Sequence, residues 1–419
     1  MESSVVVQLF LAIGLIIAGA QLAGAGARRV GQPRVFGELL AGVILGPTLL
    51  NMLEWNVFDE ETISGMTHTL EEMAELGVLF LMFAVGLEVH LRELLSVGKV
   101  AVWGGVLGAA LPVVMGMPVV LAFDYNIEAA VFVGVVLAAT SVSISAQTLL
   151  ELGVLRTKEG VGLLATAVID DILAILLLSV VMATMGSDTD ASAGELVWIF
   201  VRMVLYLGGA LAVAWFVLPR LFNWLHRQRQ LASGTAAFAL VAALIFGWGA
   251  EALGGVAAIT GAFVAGMGLS QANERVHDQI VETVQAISYS FLVPIFFVNV
   301  GLHTDLLQIG LDMVPLAILL IVVAAISKVA GSGLGARLGG FTNRESFRLG
   351  VCMISRGEVG LIIAALGLAN GLLNEELFEP VFLVILVTTV MTPPLVRWVF
   401  RERSEKEQQP ALATDTTQV

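Results

Sequence analysis

Asp170 and Asp171 stand side by side in the apolar run GLLATAVIDDILAILLLSVV, with no lysine or arginine near them in sequence. A carboxylate at bilayer depth is costly and usually marks function, and two together call for a compensating cation. Lys328, in AAISKVAGSG, is the candidate, because it lies far from both ends of its own apolar run. Lysine changes its protonation state readily when buried. Neighbouring residues on a helix project about 100° apart. One aspartate can therefore face a water-filled cavity while the other meets a partner helix. Such a set can trade a small cation for protons. The bland readings are a protonated structural pair and a snorkelling lysine, and the mid-run positions of all three residues argue against them.

A second set interrupts two other apolar runs. Thr140-Ser141-Val142-Ser143-Ile144-Ser145 places hydroxyls in one, and Ser355-Arg356-Gly357-Glu358 breaks the other. Hydroxyls and unwound carbonyls at a helix break suit a dehydrated monovalent cation, which prefers oxygen ligands. Thr140 and Ser141 thus join Asp170 and Asp171 as candidate cation ligands, with Glu358 beside them. Ser355 and Arg356 would compensate opposed half-helix ends. For Ser143 and Ser145, ordinary helix-to-helix hydrogen bonding is explanation enough. The five histidines fall in or next to loops, where solvated side chains are the default. No metal-ligand cluster, G-x-S-x-G or Walker A motif is present, so no enzyme and no cofactor is expected.

The elements that hold these residues must cross a membrane. Of 419 residues, 58% are hydrophobic and 13% charged, with mean hydropathy +0.91. A soluble chain carries about 45–50% apolar and about 25% charged residues, so a soluble fold is excluded. A net charge of -14 argues against a nucleic-acid partner, and one cysteine forbids an intrachain disulfide. At about 20 residues per span, hydropathy gives thirteen candidate transmembrane helices. They lie near 5–25, 36–51, 72–91, 98–123, 128–150, 159–186, 194–219, 233–252, 255–270, 281–302, 311–339, 345–371 and 376–400. The polar tail 402–419 reads as disordered. Loops after odd-numbered spans, together with the C-terminus, hold eighteen of the 21 basic residues. By the positive-inside rule the N-terminus lies outside and the C-terminus in the cytoplasm, in the inner (plasma) membrane. The three left over, Arg202, Lys328 and Arg356, lie within spans. GSGLGARLGG (331–340) spaces its glycines suggestively, but it follows no strand and is rejected as a dinucleotide site.

An internal repeat organises the spans. FAVGLEVHLREL (83–94) resembles FVNVGLHTDLLQI (297–309), and the same offset lays Thr140-Ser141 over Ser355-Arg356. Spans one to six (about 5–186) then pair with spans eight to thirteen (about 233–400), leaving 194–219 as a linker helix in a single membrane domain, 1–401. One linker span after six inverts the second repeat, the arrangement of alternating-access transporters.

Together, GELLAGVILGP, FLMFAVGLE, AATSVSIS, VIDDILAI, ITGAFVAGM, LVPIFFVNVGL, Lys328 and SRGEVGLI resemble the monovalent cation:proton antiporters, specifically the second cation:proton antiporter family with its NapA-like and Kef-like members. The resemblance spans roughly residues 36–365. The Asp-Asp pair favours the electrogenic sodium/proton exchangers over Kef-type potassium/proton relatives, which carry Gln-Asp or Asn-Asp. The resemblance implies an all-α NhaA-like fold with crossed, broken helices, and a homodimer in the lipid bilayer. Asp171 would be ion ligand and proton carrier. Asp170 would pair with Lys328 when the ion is absent, and two protons would move per sodium or lithium ion. A sodium-coupled symporter would need a roomy organic cavity, for which no further polar groups stand out. An intramembrane aspartyl protease needs its aspartates on different helices, and a channel has less use for a lysine and two aspartates at one depth.

Overall fold

The computed structural model describes residues 5–30, 32–55, 57–58, 60–89, 96–185, 193–228, 234–302, 311–369 and 371–415. Among these residues all regular structure is helical. The α-helices are α1 (Val5–Arg29), α2 (Arg34–Leu45), α3 (Glu60–Leu87), α4 (Gly98–Leu121), α5 (Ile127–Ala138), α6 (Val142–Glu151), α7 (Lys158–Met185), α8 (Ala193–Phe216), α9 (Leu218–Arg227), α10 (Thr235–Gly249), α11 (Ala258–Leu269), α12 (Glu274–Ile287), α13 (Val293–Leu302), α14 (Val314–Leu338), α15 (Asn343–Cys352), α16 (Gly357–Ala369) and α17 (Glu375–Asp415). Single π-helical turns at Ala250–Gly254 and Ser288–Leu292 follow α10 and α12.

Nine helical stretches among the described residues are long and apolar enough to cross a membrane, including α5 with α6 as one and α12 with α13 as another. Four expected spans are not among these nine: 36–51, 255–270 and 345–371 appear as short helices, α2 and α11 having 12 residues each and α15 and α16 having 10 and 13, and 72–91 falls in the later part of the 28-residue α3. Large apolar side chains such as Val197, Trp198, Leu205 and Trp248 are exposed on the outside, as lipid requires and water would not allow. α17 runs on to Asp415, through the tail that composition reads as disordered. Its Glu, Lys, Gln and Ala are good helix formers extending a helix already nucleated.

The helices sort into two bundles by what they touch. The first joins α1, α2, α3 and α10 to α13. The second joins α4 to α7 with α14 to α17. α8 lies against α11 and α7, and the bundles also meet where α2 and α3 touch α6, where α2 touches α17 and where Thr260 of α11 reaches Asp171 of α7. The second bundle is built on a close crossing of α4 and α14. Gly331 and Gly335 lie on the carbonyls of Leu107 and Trp103, and Gly339 on the Cα of Val100, so a Cβ at any of the three would collide with backbone. That is the structural use of the glycines in GSGLGARLGG: they bring two helix backbones together.

Candidate functional site

Two broken strands of helix cross at the middle of the second bundle. α5 ends at Ala138, Ala139 and Ser141 are extended, and α6 begins at Val142. α15 ends at Cys352, and α16 begins at Gly357, whose φ of 46° is a left-handed conformation that favours glycine. A Cβ there would also strike the Ser141 side chain. The breaks hold each other: Ser141 N donates to Ser355 O at 2.9 Å, and Ser145 Oγ donates to Cys352 O at 2.5 Å. Gly357 N donates to Thr389 Oγ1 of α17 at 3.1 Å.

Arg356 is fully buried and serves two carbonyls at these breaks and one on α14. Its Nη2 donates to Leu137 O at 2.9 Å and Ala324 O at 2.7 Å, and its Nη1 donates to Ile354 O. Leu137 is in the last turn of α5, the negative end of that helix dipole. The expected compensation of a half-helix end by Arg356 therefore has a defined geometry here. Ser355 contributes its carbonyl, while its buried Oγ has no partner. Glu358 lies in the first turn of α16, and its side chain is outside the described residues.

Asp170 and Asp171 point in different directions from the middle of α7. Lys328 Nζ on α14 donates to Asp170 Oδ1 at 2.9 Å and Oδ2 at 3.2 Å, with the two side chains 0% and 1% exposed. Asp171 is half-buried and turns towards the first bundle, where Thr260 Oγ1 on α11 donates to its Oδ2 at 2.9 Å. Both line a cavity of about 20 Å³ with Met82, Thr140, Leu164 and Phe263. That is room for about one water-sized particle. The Thr140 hydroxyl in its wall is buried without a hydrogen-bond partner. A carboxylate and an unsatisfied hydroxyl around such a space are oxygen donors of the kind a small monovalent cation takes.

The structure thus brings Asp171 and Thr140 to one cavity and pairs Asp170 with Lys328 behind it. Ser141 is set differently. It serves the crossing through its backbone, and its Oγ lies 3.0 Å from Ser143 Oγ. Sequence reading missed Thr260, because a single threonine in an apolar helix carries no signature. It also read Arg348 as a loop cation. Arg348 is buried on α15, where its Nη1 donates to the buried Glu159 at 2.9 Å and its guanidinium stacks on Phe400 of α17 at 5.0 Å.

A far larger cavity, about 1050 Å³, opens between the bundles at the basic face. Arg28, Arg34, Glu38, Glu151, Tyr289 and Trp398 are among its walls. Arg34 Nε pairs with buried Glu38 at 2.5 Å, and Arg34 N donates to Glu151 Oε2 at 2.5 Å, linking α2 to α6. α6 leads from one cavity to the other: Val142 lines the small one and Glu151 the large one, about 13.5 Å apart at 1.5 Å per residue. At the same face Arg156 reaches across to Glu88 at 2.7 Å.

A family model described as "Sodium/hydrogen exchanger, transmembrane" matches residues 13–402. The chain is 36% identical over 393 residues to the Na(+)/H(+)-K(+) antiporter GerN of Bacillus cereus, covering 94% of this chain and 96% of that one. It is 32% identical to a Na(+)/H(+) antiporter of Enterococcus hirae, covering 92% of this chain and 96% of that one. Among solved structures, the sodium proton antiporter MjNhaP1 of Methanocaldococcus jannaschii superimposes with a TM-score of 0.68 over 96% of this chain and 98% of its own, at 16% identity. That likeness speaks for the fold.

Proposed function

The chain belongs to the sodium/hydrogen exchanger family, and from that membership we infer that it is a transporter, not an enzyme, that exchanges sodium for protons across a membrane. The observation that carries the reading is the division of labour on α7: Asp170 is neutralised by Lys328, while Asp171 faces a cavity the size of one ion with the unsatisfied Thr140 hydroxyl. One carboxylate that holds either sodium or a proton, never both, makes the two ions alternate on a single site.

Within the family, the Asp-Asp pair supports the NapA-like, electrogenic branch. When sodium takes Asp171, Asp170 leaves Lys328 and the lysine gives up its proton. When protons reload the site, the ion pair re-forms, and two protons have moved for one sodium ion. The second bundle, with its crossed breaks, is the moving core, and the first bundle is the scaffold that meets a second copy in a homodimer. Thirteen spans in two inverted repeats, with α8 as linker, account for the paired breaks at 139–141 and 353–356. The basic face lies in the cytoplasm, which makes the large cavity between the bundles the inner vestibule of a protein in the plasma membrane.

The test is transport in proteoliposomes with a pH-sensitive dye, read against sodium, lithium and potassium separately. Asp171→Asn is expected to abolish the sodium response. Full pH-gradient-driven sodium transport in Asp171→Asn overturns the assignment. A response to potassium alone turns the reading towards Kef-type exchange.

A further inference from the structure

Among the hydrogen bonds around the ion cavity, the one from Thr260 to Asp171 joins the two bundles. Thr260 belongs to α11, which packs on α3 and α10, whereas Asp171 belongs to α7, which packs on α4, α5, α6 and α15, and α8 touches both helices. Thr260 is 3% exposed, and its hydroxyl and the carboxylate share the wall of one cavity. A hydrogen bond to an ionised carboxylate is about twice as strong as one between neutral groups. It also points a hydrogen at the oxygen on which a cation must sit. A bound cation repels that hydrogen, so the hydroxyl cannot keep donating once Asp171 Oδ2 holds cargo.

We propose that Thr260 is a positioning residue that ties the empty second bundle to the first, and that cargo on Asp171 releases the tie. This rests on the exchange assigned above and adds its coupling device. A carrier that crosses with a bare site converts exchange into a one-way leak, and competition for Asp171 alone does not prevent that crossing. The tie does, because it exists only while the oxygen is empty. Gly261, next along α11, lies on the Phe246 carbonyl of α10, so the backbone behind Thr260 is packed against its own bundle and cannot follow Asp171 when the second bundle shifts.

The experiment reconstitutes the full chain as wild type, Thr260→Val and Thr260→Ser. A pH gradient is imposed without sodium, with the membrane potential clamped by potassium and valinomycin, and its decay is followed. Wild type holds the gradient. Thr260→Val, which keeps the shape and loses the donor, is expected to collapse it about tenfold faster, the factor a lost hydrogen bond to a charged group supplies, while still exchanging sodium for protons but moving more protons per sodium ion than wild type. Thr260→Ser is expected to behave as wild type. A second measurement needs no variant: hydrogen–deuterium exchange of 258–269 in the wild-type protein should rise on adding sodium.

A tight Thr260→Val variant whose only change is in the sodium concentration for half-maximal rate overturns the proposal and makes Thr260 a ligand instead. An equal leak in Thr260→Ser, or exchange at 258–269 that is indifferent to sodium, also overturns it. Failure of the family assignment looks different, because wild type itself then shows no sodium-driven proton movement.

Discussion

The pairing of Lys328 with Asp170 sets the energetic scale of the site. Removing one partner of a buried ion pair leaves an uncompensated charge and costs about 3–5 kcal/mol, whereas replacing both costs far less. Lys328→Ala is therefore expected to lower the thermal unfolding midpoint of the detergent-solubilised protein sharply, and Asp170→Asn with Lys328→Gln to recover most of it. Thr140 behaves in the opposite way. Its buried hydroxyl has no hydrogen-bond partner, so Thr140→Val should leave stability unchanged or raise it by up to ~1 kcal/mol while raising the sodium concentration for half-maximal transport. A purely structural threonine would lose stability and keep its sodium dependence. The charged members were legible in the sequence because the membrane makes every buried charge conspicuous. Thr260 was not, since only a neighbouring carboxylate gives it a role. Arg348 was misplaced because a cation near a loop has the same composition whether it faces water or Glu159.

The elements were legible in proportion to their continuity. Long apolar runs such as 98–123 and 311–339 became α4 and α14 almost as expected, because length and hydropathy decide a spanning helix. Runs interrupted by hydroxyls or glycine became pairs of short helices. Their joints depend on Ser141 N meeting Ser355 O, a contact 214 positions apart that no local pattern encodes. The spaced glycines of α14 were seen, and their use was not. They are fixed by near-contact with α4, so Gly335→Ala must push against the Trp103 carbonyl. A cost of roughly 1–3 kcal/mol follows from overpacking, read as a fall in unfolding midpoint and a loss of transport. Gly14→Ala on α1, where a Cβ meets nothing within 4 Å, is the matched control and should be neutral or slightly stabilising.

For the molecule as a whole, the proposed exchange of two protons against one sodium ion would move one net charge per cycle. An interior-negative potential of 100 mV is then worth about 2.3 kcal/mol, which multiplies the outside-to-inside sodium ratio at equilibrium about 50-fold. Clamping liposomes at a series of potentials and finding where net sodium flux reverses measures this directly. A reversal point indifferent to potential means one proton per sodium. Charge sorting along the sequence anticipated a basic face, and the wide cavity walled by Arg28 and Arg34 opens on that face. The grouping of helices into two bundles was beyond the sequence, because it depends on which apolar faces meet and the long spanning helices offer several.

Cys352 is fully enclosed in the second bundle, its carbonyl held by Ser145, and it is the one cysteine of the chain. The protein consequently carries a single-copy chemical clock at the joint of its crossed helices. An alkylating reagent reaches that sulfur only when the bundle opens, so the labelling rate reads the opening free energy of this bundle alone, with no engineered probe and no background from any other thiol.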